Sequence, residues 1–165
     1  MRLITLFTLA LLAGCAVSAP PLPEEIASTI PEGANTVELH TAMPVDDLYE
    51  EARNMLVKKG FKIRDDDDRS WRIETEPMEV GSRTDMRITL RASPIGNGSR
   101  IEAIGHWSSD TGDAGFAGAG AGVSSTNENW YQAVWGENQR SSSAFGQLVL
   151  IMNDLPHVEA VYAKR

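Results

Sequence analysis

A chain of 165 residues with 15 Lys and Arg against 23 Asp and Glu, net charge −8, is sized for one domain. It is poorly suited to a nucleic-acid partner, whose phosphates are neutralised by Lys and Arg. With 42% apolar and 23% charged residues the composition is that of an ordinary globular protein, and a single cysteine excludes an internal disulfide.

Arg2 is followed by an apolar run, Leu3 to Leu12 (LITLFTLALL), and then by the small residues Ala13 and Gly14. This is the layout of a secretory signal peptide over residues 1–14, too short to span a bilayer as a helix. No later stretch approaches the ~18 apolar residues that a spanning helix needs. The four residues Leu12-Ala13-Gly14-Cys15 resemble the lipobox of bacterial lipoproteins at every position. The resemblance implies that the Cys15 thiol takes a diacylglyceryl group, that the signal is cut before it, and that the new N-terminus is acylated with palmitate or a similar chain. A lone cysteine in an exported chain is otherwise an unpaired thiol. Two or more acyl chains hold a protein firmly on a membrane, where one holds it marginally. Ala16, not Asp, follows the cysteine. By analogy with enteric-type bacteria, this implies a cell outer membrane location, facing the periplasm.

Residues 15–34 form the lipidated cysteine and a Pro-rich tether, with Pro20, Pro21, Pro23 and Pro31 giving an extended bias. Ile26 and Ile30 leave open an alternative, an arm packed on the domain. The globular domain is expected over 35–165. Thr36 to His40 alternates Val37 and Leu39 against Glu38 and His40, a short strand. In MPVDDLYEEARNMLVKKGF, the residues Val45, Leu48, Ala52, Met55 and Leu56 share one helical face. Acids lie early and Lys58 and Lys59 late, matching the helix dipole, and Gly60 is placed to end the helix in a left-handed conformation.

Strands are expected at Phe61 to Ile63, at Trp71 to Thr75, around Met86, Ile88 and Leu90, and around Ile101, Ala103 and Trp107. The run Asp65 to Asp68 falls in a charged turn, and SPIGNGS (93–99) in another. Each strand is apolar on one side and charged on the other, so one face needs covering. Arg87 or Arg91 is expected across from Glu102. Ser141 to Ser143 offer N-caps for a helix with the stripe Ala144, Phe145, Leu148, Ile151, Met152 and Leu155. Val158 to Tyr162 is a candidate last strand. The expectation is an α+β fold, β-α-β-β-β-β-α, in which two amphipathic helices cover one face of an antiparallel meander as a two-layer sandwich.

By element order over residues 35–108, the pattern resembles small helix-on-sheet domains of envelope lipoproteins, such as the accessory lipoproteins of outer-membrane protein assembly. No residue role is carried across.

The chemistry-bearing patterns are weak. Asp65 to Asp68 fails the calcium-loop spacing in both registers, because Trp71 and Pro77 replace the required Gly and Glu in one and Arg69 takes a ligand position in the other. The Gly-rich stretch 112–125 gives G-x-G at Gly118 and Gly120, then Val123 in place of the third glycine. It reads as a loop. His40, His106 and His157 form no metal-binding pair motif, and no G-x-S-x-G elbow is present. Trp107, Phe116, Trp130, Tyr131 and Trp135 gather around the Gly-rich stretch and are the candidate binding surface. The functional expectation is a lipid-anchored, non-enzymatic envelope protein without cofactor or metal, in an accessory, scaffold or protein-binding role. Its partners would be the membrane, through Cys15, and an envelope protein. The alternative is a carrier of a small apolar ligand between sheet and helices.

Overall fold

A computed structural model describes residues 21–81, 84–109 and 130–165. Cys15, the signal peptide, the Gly-rich stretch and Phe116 lie outside these residues.

The first described element is a short helix, α1 (Glu24–Ala27). Leu22 and Ile26 pack against the core, and Ile30 belongs to it. Their four-residue spacing keeps them on one side of the chain. From Leu22 onward, the segment read as tether is therefore an arm packed on the domain, and the ordered structure begins before Asn35.

Strand β1 (Thr36–Thr41) leads to helix α2 (Val45–Lys58). The helix starts at Pro44, whose fixed φ suits a helix entry and whose missing N–H is no loss there. It buries Leu48, Tyr49, Ala52, Met55 and Leu56. Gly60 stands at φ 95°; its N–H bonds to the carbonyl of Val57, and that of Phe61 to the carbonyl of Leu56. This is the paired C-terminal closure that a left-handed glycine permits.

Strands β2 (Ile63–Asp67), β3 (Arg72–Thr75), β4 (Met78–Gly81), β5 (Thr84–Ile95) and β6 (Gly98–Ser109) follow. Then come β7 (Tyr131–Gln132), helix α3 (Gln139–Met152) and β8 (Glu159–Ala163). Among the described residues the strands form one eight-stranded sheet, in the order β2-β3-β5-β6-β1-β8. Strand β4 also pairs with β5, and β7 with β6. Every pairing is antiparallel. Helices α2 and α3 both pack on β5 and β6, so the molecule is an α+β two-layer arrangement. The layer between sheet and helices is filled by fully buried side chains, among them Phe145, Leu48, Leu56, Met86, Ile88 and Met152.

Three local readings are refined by the structure. Asp65 to Asp67 lie on strand β2 rather than in a turn. As an edge strand, β2 gains from charges that deter pairing with other chains. Asp66 accepts bonds from the Tyr49 hydroxyl and from Arg53 Nε at 2.6 Å, while Asp67 accepts the Arg69 N–H and the Ser70 hydroxyl. The N-cap of α3 is Asn138, whose side chain accepts the Ser141 N–H at 2.9 Å. Ser141 and Ser142 instead accept the N–H groups of Val134 and Gly136, tying the incoming loop to the helix. Arg91 does stand opposite Glu102, but the ion pairs of Glu102 run to Arg100 and Arg165.

Gly98 marks a close approach. It opens β6 after the hairpin turn, and a Cβ there would overlap the carbonyl oxygen of Thr41 at the end of β1. Backbone cannot yield as a flexible side chain does. Gly98→Ala is therefore expected to destabilise the protein by about 1–3 kcal/mol, the usual penalty for overpacking. Gly96→Ala is the comparison. It has open space but φ 54°, so its cost is set by backbone strain alone, about 1 kcal/mol. Urea denaturation of both variants measures the difference.

Candidate functional site

Both long helices pack on one face of the sheet, and alternation sends polar side chains to the other: Arg72 and Glu74 from β3, Arg87 and Thr89 from β5, Arg100, Glu102 and His106 from β6, Glu38 and His40 from β1. These residues sort into two groups.

The first is a closed ion network across β1, β6 and β8. The Glu38 side chain is only 8% exposed although it carries a carboxylate. His40 Nε2 lies 2.6 Å from it, Arg165 Nη2 2.6 Å and Arg100 Nη1 3.7 Å. Arg165 also holds Glu102 at 2.6 Å, and its backbone N–H donates to the Asn35 side chain. Burial pushes the Glu38 carboxyl up, but the hydrogen bond from His40 and the two guanidiniums outweigh it, so the net shift is downward. His40 moves the other way. Its hydrogen bond to Glu38 holds the imidazole above its ordinary range. Each charge here has a partner, which makes the network a clasp for the edge of the sheet.

The second group lines a cavity of about 190 Å³. It forms where the sheet opens. Strand β3 pairs with β5 at residues 72–74, and β4 pairs with β5 from Met78 onward. Between them the backbone ladder lapses. Thr75 Oγ1 accepts the Ile88 N–H at 2.9 Å, and the Glu76 N–H turns away to the carbonyl of Lys62. Pro77 has no N–H to contribute. The cavity is lined by Arg64, Glu74, Thr75, Arg87, Thr89 and His106, among others. Arg87 stands opposite His106, and His106 opposite Gln132, in one row across the face. The Arg87 guanidinium lies 4.7 Å from the centre of the Trp130 ring, a cation–π contact.

Glu74, the carboxylate of the cavity wall, is bonded to Arg72. Burial first, and then the nearby Arg87, hold the His106 imidazole below its ordinary range, against a weaker opposing effect of Glu74. His106 Nδ1 is buried without a hydrogen-bond partner among the described residues. The site thus gathers two guanidiniums, an imidazole and hydroxyls in a small cup.

The aromatic residues of the candidate binding surface do not form one patch. Trp130, just before β7, lies against Arg87 of the cavity group, whereas Tyr131, the first residue of β7, turns to Trp107. Tyr131 stacks on Trp107 with ring centres 5.4 Å apart. Trp107 is a core residue at 7% exposure, and its Nε1 is buried without a partner among the described residues. Trp135 packs against Phe145 of α3 at 6.4 Å. Among the described residues of the set, Trp130 is the one in contact with the cavity group. Arg87 and His106 carried a signal in sequence, since both sit on the polar side of alternating strands. The break in the ladder at Pro77 that makes a cup of them did not.

Among the described residues, no group of three or more His, Cys, Asp and Glu gathers where it could hold a metal ion, and no helix is long and apolar enough to cross a membrane. No family model and no curated protein matches the chain.

Proposed function

We propose that this chain is a lipid-anchored cell-envelope protein, attached through acyl chains on Cys15 to the outer membrane, and that its periplasm-facing domain plays a non-catalytic accessory, scaffold or protein-binding role. The observation that carries the proposal is the four-residue match Leu12-Ala13-Gly14-Cys15 directly after a signal-like apolar run. The packed arm adds a geometric consequence. Since Leu22 is already seated on the domain, residues 16–21 alone link the lipidated cysteine to folded structure, and at ~3.4 Å per residue they span at most about 24 Å. The domain is held close to the bilayer and not on a long leash. The filled layer between sheet and helices favours the binding-module reading over a carrier of an apolar ligand, which would need room there.

Expression of the full chain with labelled palmitate tests the anchor. The wild type is expected to take up label, to lose residues 1–14 and to partition with membranes. Cys15→Ser is expected to lose the label and the membrane fraction together. If the serine variant stays equally membrane-bound and its mature mass changes only by the substitution, the anchor proposal fails. Cross-linking in intact cells tests the partner half; recovery of no stable envelope partner counts against it.

A further inference from the structure

We propose that the cup on the sheet face away from α2 and α3 binds a small oxyanion, a carboxylate or phosphate group, held by Arg87, Arg64 and His106. The inference goes beyond the anchored role above and stands whether or not Cys15 is acylated.

Arg53, Arg72, Arg100 and Arg165 each pair with a carboxylate, whereas Arg64, Arg69, Arg87, Arg91 and Arg140 form no ion pair with a described residue; of these five, Arg64 and Arg87 converge on one cavity. Among the described residues, the acidic group in the wall is Glu74, and it is taken by Arg72. The chain as a whole carries −8, so its overall field does not draw anions. Cations gathered against that field mark a local site.

The geometry suits one planar or tetrahedral group. A cavity of about 190 Å³ has the room of roughly six waters at about 30 Å³ each, enough for a carboxylate or phosphate and a few attached atoms. The Trp130 ring lies against the Arg87 guanidinium and fixes its plane, leaving the fork of donors to meet two oxygens at once. His106, opposite Arg87 in the ladder, brings its imidazole to the same cavity wall. Burial and Arg87 keep the imidazole neutral near neutral pH, which leaves it one N–H to donate.

The test uses the full chain in detergent micelles and follows the imidazole resonances of His40, His106 and His157 by NMR. The probes are inorganic phosphate and acetate, with sodium chloride at matched ionic strength as control. A saturable shift confined to His106 is expected with at least one probe, and whichever probe saturates identifies phosphate or carboxylate as the group bound. Arg87→Gln is expected to weaken that titration about tenfold, as for loss of a charge-assisted contact. Arg91→Gln, on the same strand but outside the cavity, is expected to leave it unchanged. If Arg87→Gln does not fold, the exposed Arg64→Gln carries the same comparison. An equal shift with chloride, no saturation with either probe, or a folded arginine variant that titrates like wild type overturns the proposal.

Discussion

Phe145→Ala is expected to lower the unfolding free energy by about 3–5 kcal/mol, the range for truncating a large aromatic in a closed core. Phe145 is fully buried on α3 and packs against Trp135. Its neighbour Gly146 faces Leu22 of the arm and the same tryptophan. The ring therefore ties the helix to the loop that carries Trp135, next to the point where Leu22 of the arm approaches the helix at Gly146. Removal opens a cavity that rigid neighbours on several sides cannot close, which is the condition for the upper part of the range. Urea denaturation followed by circular dichroism measures the loss. Phe145→Leu, which keeps most of the volume, is expected to recover more than half of it. Equal losses for both would mean that the site does not depend on filling.

Glu38→Ala ranks second, at about 2–3 kcal/mol. The carboxylate is nearly buried and takes His40, Arg165 and Arg100 together. Its removal leaves those cations facing one another. Their own partial exposure lets water return to them, which keeps the cost below that of a fully buried broken pair. The network also predicts a pH signature. The folded state lowers the Glu38 pKa, so the contribution of Glu38 is present above the ordinary carboxylate range and fades as pH falls through its folded value. The folded state raises the His40 pKa, so the contribution of His40 is complete below its ordinary range and fades as pH rises through its folded value. Both contributions coexist only in mildly acidic solution. The stability difference between wild type and His40→Gln is expected to shrink as pH rises from the ordinary histidine range through the raised folded value. His106 has the opposite sign. Its folded pKa is depressed, so it favours the folded state least at low pH, and His106→Gln is expected to gain on wild type as the solution is acidified. Thermal melts of the two variants across pH separate the histidines, and parallel slopes would refute both assignments.

The elements that sequence reading recovers are those whose cause is local. The spacing of Leu48, Ala52, Met55 and Leu56 defines α2, Gly60 ends it, and alternation along Met86, Ile88 and Leu90 gives β5. Strands β4 and β7 escape because four and two residues are too few to show a period. The arm is legible only as an alternative to a tether, for a different reason. Its prolines set the composition of the whole segment, although Leu22, Ile26 and Ile30 keep helical spacing beneath it. The cavity depends on a pairing between β3, β4 and β5 that no single segment encodes. The aromatic group illustrates the same limit. Trp130 and Tyr131 are neighbours along the chain, yet one lies against Arg87 and the other against Trp107.

The seating of β1 bears on how the molecule assembles. Val37 pairs with Ala103 on one side and with Tyr162 on the other, so β1 becomes an inner strand only once β8 has joined it. Contacts so distant in sequence slow folding, because a long loop must be ordered before they repay it. Without β8, β1 presents a bare edge, open to pairing with another chain.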